Sequence, residues 1–198
     1  SSSGLSTTAS WTGSGDTDSA YYGYSVSTAG DVNGDGYSDV IVGVYYHPAG
    51  GTGRGRAYLY LGSSSGLSTT ASWTGSGDTD GAYYGVSVST AGDVNGDGYS
   101  DVIVGASYHP SGGTNRGRAY LYLGSSSGLS TTASWTGSGD TDSAYYGYSV
   151  STAGDVNGDG YSDVIVGASY HPSGGTNRGR AYLYLGSSSG LSTTASWT

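Results

Sequence analysis

The chain of 198 residues has no cysteine, methionine, phenylalanine, lysine or glutamate; its 15 acidic residues are all aspartate and its 6 basic residues all arginine. Without cysteine there is no disulfide and no thiol chemistry, but the compartment stays open, because an exported protein braced by metal needs no disulfide. The net charge of −9 argues against nucleic acid as a partner, since binding a polyanion needs a basic surface. Long apolar runs are missing too. The longest are of the Val40–Val42 kind, far short of a membrane span, so no membrane insertion is expected. The chain opens mid-pattern without a methionine, so the lack of an export signal carries no information. There is no Gly-x-Ser-x-Gly, phosphate loop or His-Glu-x-x-His, and no enzyme is expected.

What is present is tyrosine, 21 of them, with 4 tryptophans and 39 glycines. It is also repetition. Ser1 recurs as Ser63, Ser125 and Ser187, a period of 62 residues, and 187–198 copy 1–12. Six positions vary within the period, such as Tyr24/Val86/Tyr148 and Gly53/Asn115/Asn177. Copies this alike follow from recent amplification or from deliberate design.

Within one period the pattern is strand and turn. Gly23–Ala29 alternates weakly, and Asp39–Tyr46 is a β-branched run suited to a buried strand. Arg56–Leu61 alternates cleanly between Tyr58, Tyr60 and Ala57, Leu59, Leu61, while Leu67–Thr74 is Thr-rich and suits an edge. Gly-centred turns separate them. The expected fold is all-β: a β-propeller of four-stranded antiparallel blades, three per chain. The blades are placed at 20–76, 82–138 and 144–198, after a spare outer strand and inter-blade loop at 1–19.

The stretch DVNGDGYSDVIVG at 31–43 returns at 93–105 and 155–167. Asp31, Asn33, Asp35 and Asp39 occupy positions 1, 3, 5 and 9 of a loop with glycine at 6. Alternating oxygen donors with a curl-permitting glycine suit Ca²⁺, which takes six to eight oxygens; Mg²⁺ sheds its waters less readily. The Tyr37 carbonyl is the expected donor at position 7. The same set recurs as Asp93, Asn95, Asp97, Tyr99 and Asp101, and as Asp155, Asn157, Asp159, Tyr161 and Asp163. A plain tight turn is the alternative, but it needs one or two aspartates, not three at ligand spacing. An EF-hand is excluded by Val42, Val104 and Val166 at position 12 and by the absence of flanking helical pattern. Three Ca²⁺ per chain would take the net charge from −9 to −3.

The repeat resembles the FG-GAP repeat of integrin α-subunit propellers and their bacterial relatives. Tyr22-Gly23, Tyr84-Gly85 and Tyr146-Gly147 stand for the Phe-Gly pair, and the acidic loop is the specific part. Gly105-Ala106-Ser107, Gly167-Ala168-Ser169 and the more divergent Gly43-Val44-Tyr45 stand for Gly-Ala-Pro. The resemblance implies a four-stranded blade with calcium in the loop joining its first two strands. It also implies a structural or adhesive role and an extracellular or cell-surface setting.

Antiparallel connectivity puts the acidic loop and the Ser-rich turn at 62–67 on one face. The His47–Gly53 loop and Gly13–Ala20 then lie on the other, the face that meets ligands in the resembled propellers. Candidate ligand residues there are Asp16, Asp18, Tyr21, His47 and Arg54. Their copies are Asp78, Asp80, Tyr83, His109 and Arg116, then Asp140, Asp142, Tyr145, His171 and Arg178. The duller reading makes the aspartates turn caps and the arginines local ion-pair partners, with Trp11, Trp73, Trp135 and Trp197 filling space between sheets. Two further readings stand beside the scaffold: a glycan-binding lectin using this face, and a designed symmetric scaffold with no natural ligand.

Three blades are too few to close a ring, so a homo-oligomer is expected, a dimer giving six blades. Residues 1–12 or 187–198 would supply the closing strand.

Overall fold

The β-branched run of each repeat becomes the second strand of a sheet. The structure, a computed structural model that describes residues 6–198, places these strands at β2 (Asp39–Val44), β6 (Asp101–Ala106) and β10 (Asp163–Ala168). On one side lie β1 (Ser25–Gly30), β5 (Tyr84–Gly92) and β9 (Tyr146–Gly154); on the other lie β3 (Arg56–Tyr60), β7 (Arg118–Tyr122) and β11 (Arg180–Tyr184). Two outer strands, β4 (Trp73–Ser76) and β8 (Trp135–Ser138), complete the first two sheets. Every pairing within the sheets is antiparallel.

The expected propeller of three four-stranded blades is not what forms. Among the described residues the sheets have four, four and three strands and do not close into a ring. In the third repeat the copy of Trp73 is Trp197, whose pairing with Leu183 is a single bridge. The fourth strand itself was expected at Leu67–Thr74 and lies at Trp73–Ser76. The Ser68 and Ser72 N–H groups donate to the Leu61 and Leu59 carbonyls, each at 2.8 Å, which folds the Ser/Thr stretch into a loop. Both faces of Arg56–Leu61 are covered: Ala57 and Leu59 pack with the second sheet, and Tyr58 and Tyr60 with the stretch that carries Trp11, Ala20 and Tyr22.

β5 and β9 begin three residues earlier in the period than β1. Tyr84 and Tyr146 bridge to Gly55 and Gly117 of the preceding sheet, and among the described residues no sheet precedes the first. The inner strands pack in sequence, β1 on β5 and β5 on β9. Between the first two sheets Ile41, Ala57 and Leu59 meet Val88, Val102 and Val104; Ile103 and Leu121 repeat the contact with Val150 and Val164. Backbones touch at Gly43 and Gly105, where a Cβ would collide with the carbonyls of Gly85 and Gly147.

Candidate functional site

The acidic loop runs from the end of β1 into β2, and its side chains fold onto its own backbone. Asp31 Oδ1 accepts the Gly34 N–H at 2.7 Å and the Asp35 N–H at 3.1 Å, and its Oδ2 accepts the Gly36 N–H at 2.8 Å. Gly34 and Gly36 have φ of 73° and 87°, the left-handed region that turns these N–H groups inward. Asp35 Oδ1 accepts the Tyr37 N–H at 3.0 Å, and the Asn33 amide donates to Asp35 Oδ2 at 3.0 Å. The loops at 93–101 and 155–163 repeat these bonds.

Asp39 differs from the other donors because it is fully buried. Its Oδ2 accepts the Val32 N–H and its Oδ1 the Gly62 N–H, both at 2.9 Å, so it ties the loop to the Ser-rich turn on the same face. Asp101 does the same with Val94 and Gly124, and Asp163 with Val156 and Gly186. Burial pushes Asp101 up to about 7 against its two N–H donors, and the like charges of Asp97 and Asp93 add to the rise. Asp39 is raised for the same reasons. Asp155, by contrast, is lowered, chiefly by the Gly160 N–H.

The donor set fits a hard cation in its chemistry: carboxylates and an amide, with no basic side chain in the loop to neutralise them. An ionised carboxylate offers about four acceptor positions, so the bonds above leave each aspartate free capacity. Among the described residues, however, no three acidic or histidine side chains converge as a metal-holding group. They point at the loop's N–H groups.

On the opposite face the structure brings some of the expected ligand residues together and occupies them. His47 is only 5% exposed; its Nε2 lies 3.1 Å from Asp16 Oδ1, and its Nδ1 accepts the Ala49 N–H at 2.9 Å. The Tyr58 hydroxyl donates to Asp16 Oδ2 at 3.0 Å. Burial works against the Asp16 charge, but the hydrogen bonds from Tyr58 and Thr17 prevail and hold its pKa low. Asp78 with His109 and Asp140 with His171 repeat the arrangement. Arg54 pairs with Asp80, and Arg116 with Asp142, each at 2.6 Å across neighbouring repeats. Asp18 and Arg178 enter no ion pair among the described residues.

Tyr21, Tyr83 and Tyr145 belong to a feature the sequence reading did not assemble. They alternate with Tyr45, Tyr108 and Tyr170 in one aromatic ladder across all three repeats. Successive ring centroids are 5.4, 5.3, 4.7, 4.7 and 5.1 Å apart. The three first-named tyrosines sit at φ of 61°, 57° and 56°, a strained conformation for a bulky residue. Tyr21, Tyr24, Tyr46 and Tyr148 help line a groove of about 410 Å³ along the ladder. The adjacent Tyr-Tyr and Tyr-x-x-Tyr spacings were the available signal.

Residues 22–60, 84–122 and 146–184 each match the FG-GAP repeat. The chain is 32% identical to integrin alpha-6 of Gallus gallus over 156 residues, covering 74% of this chain and 13% of that protein. It is 36% identical to integrin alpha-PS2 of Drosophila melanogaster over 163 residues, 75% of this chain and 11% of that one. With integrin alpha-5 of Xenopus laevis the identity is 30% over 188 residues, 90% of this chain and 18% of the relative. The chain thus spans less than a fifth of the length of these relatives.

Proposed function

Because the chain belongs to the FG-GAP repeat family, we propose that it is an extracellular scaffold for protein interaction and adhesion, its hairpins clamped by calcium. Asp31, Asn33, Asp35, Asp39 and the Tyr37 carbonyl would hold one ion, and their copies two more. The ion supplies positive charge where the loop has none. The chain's own groups position it: Gly34, Gly36 and Gly62 N–H groups orient the carboxylates, and burial of Asp39 anchors the loop to the turn after β3. The observation that carries this reading is the threefold set of oxygen donors with no basic side chain in the loop, each set anchored by a fully buried aspartate, Asp39, Asp101 or Asp163. Native mass spectrometry with and without chelator tests it. Three Ca²⁺ per chain are expected, and a chain that retains none in calcium buffer refutes it.

A second reading is favoured by the tyrosine ladder. Exposed rings such as Tyr21 and Tyr24, 57% and 55% accessible, present flat faces and hydroxyls of the kind that stack on sugar rings. A glycan array compared with a Tyr21→Ala, Tyr83→Ala variant separates the two: a plain scaffold gives no signal that depends on those rings.

A further inference from the structure

The junction between neighbouring sheets is made twice within the chain, and the two halves of a third junction stand at its opposite ends. At the made junctions the Ser100 N–H donates to the Asp31 carbonyl and the Ser162 N–H to the Asp93 carbonyl, both at 2.9 Å. Ser125 and Ser187 donate to the carbonyls of Val32 and Val94 at 3.0 Å. Arg54 meets Asp80 and Arg116 meets Asp142. Moved along by one period, these pairs become Ser38 with Asp155, Ser63 with Val156, and Asp18 with Arg178. In each pair one member lies with the first sheet and the other with the third. The unmatched charges are of opposite sign.

The apolar faces match in the same way. Val26 is 65% exposed, whereas its copies Val88 and Val150, which receive the preceding sheet, are 6% and 7% exposed. Val156 is 53% exposed, against 0% for Val32 and Val94. Ile165 is partly exposed on the last sheet, while Ile41 and Ile103 are fully buried.

The strands match as well. β11 carries one bridge, to Trp197, along the edge where β3 and β7 each have a fourth strand. Trp11–Ser14 reads WTGS, the same letters as β4 and β8, and belongs to no sheet. Trp11 is nevertheless already seated as those strands are. Its ring is 5.0 Å from Tyr60 and its Nε1 donates to the Ser68 carbonyl at 3.0 Å; Trp73 has Tyr122 at 5.0 Å and Ser130 at 2.9 Å.

We infer that two copies of this chain join head to tail, Trp11–Ser14 of one adding as the fourth strand beside Arg180–Tyr184 of the other. The Val26 face of the first copy then covers the Ile165 face of the second, and Asp18 meets Arg178. The exchange gives up the Leu183–Trp197 bridge and gains the register of Leu59↔Trp73 through Arg56↔Ser76. The contact is heterologous, so it repeats until the rotation closes or a fibre grows. A strand added to an open edge also removes a site for uncontrolled pairing.

Native mass spectrometry of the 198-residue chain, with Val26→Asp and Ile165→Asp variants, tests this. The wild type is expected to contain two or more copies and each variant alone to be monomeric. An equimolar mixture of the variants should recover a dimer, because each retains the intact face that the other needs. A monomeric wild type, variants that stay assembled, or a folded mixture that stays monomeric would overturn the inference. If circular dichroism shows either variant unfolded, Asp18→Arg and Arg178→Asp take their place, being at exposed ends; each alone should weaken assembly and the mixture should restore it. The calcium reading fails separately: an assembled chain without Ca²⁺ refutes only the clamp, and a monomer with three Ca²⁺ refutes only the junction.

Discussion

Asp101 Oδ2 accepts the Val94 N–H at 2.9 Å from within the same hairpin, while Oδ1 accepts the Gly124 N–H, also at 2.9 Å. One buried carboxylate therefore closes the acidic loop and fastens it to the turn after β7. Asp101→Ala strands two buried donors, each costing about 1–3 kcal/mol. The expected loss is about 2–4 kcal/mol, since removing a desolvated charge returns part of it. Asp101→Asn keeps one acceptor oxygen and should lose less. Urea melts in EDTA measure both without any metal effect, and an Ala variant as stable as the wild type would refute the anchoring role.

Sheet-to-sheet contact at Gly105 makes a different prediction. A Cβ there would strike the Gly147 carbonyl, which is backbone and has nowhere to go. Gly105→Ala should cost about 1–3 kcal/mol, the range for overpacking. Gly98, with φ of 89° and open space around it, should lose about 1 kcal/mol on the same change, from backbone strain alone. Equal melting temperatures for the two variants would contradict the close approach.

The tryptophans rank by what surrounds them. Trp73 is 7% exposed, edge-on to Tyr122 and bonded to Ser130, whereas Trp197 is 60% exposed. Trp73→Ala should cost about 3–5 kcal/mol. Trp197→Ala should cost under about 1 kcal/mol in the monomer. Thermal melts at low protein concentration decide it; a Trp197 variant as unstable as the Trp73 variant would be the wrong order.

Much of this was legible in the letters and some was not, for physical reasons. The period and the runs around Ile41 and Leu59 declare themselves because strand composition and Gly turns are local properties. The fourth strand was misplaced because pairing at Trp73–Ser76 depends on Ser68 and Ser72 bonding back to β3, a tertiary choice. His47 and Asp16 were read as separate ligand candidates, yet they lie 31 residues apart and pair, with His47 buried, only when the loops meet. The tyrosine ladder links residues of different repeats, so no window on one repeat reveals it. The count of strands in the last sheet likewise rests on what lies beside Arg180–Tyr184, not on its own sequence.

Protons distinguish the histidine pins. Burial lowers the pKa of His47 and His109, Arg56 and Arg118 add to the fall, and Asp16 and Asp78 oppose it. A folded pKa below the unfolded value of about 6.5 means that the unfolded chain binds protons first on acidification. The contribution is therefore in place above about pH 6.5 and is lost as pH falls through the folded pKa. Asp101, raised to about 7, has the opposite sign and gains stability as pH falls. The histidine part is read as the difference between wild type and a His47→Asn, His109→Asn variant, whose Asn oxygen can still accept the N–H of residue 49 or 111. That difference should shrink from about pH 7 to pH 5, and one that grows would reverse the sign.

Asp35 isolates the calcium question from the fold. It is exposed and its bonds are to Tyr37 and Asn33 within its own loop. In EDTA, replacing Asp35, Asp97 and Asp159 by Ala should therefore change stability by under about 1 kcal/mol per site. Calcium alters that comparison, because an ion that binds only the folded chain at 100 times its Kd adds about 2.7 kcal/mol per site. The wild type should rise in melting temperature when Ca²⁺ is added, and the triple variant should not. A variant already unfolded in EDTA would give these aspartates a purely structural role. An equal calcium response in both proteins would place the ion, if any, away from position 5 of the loop.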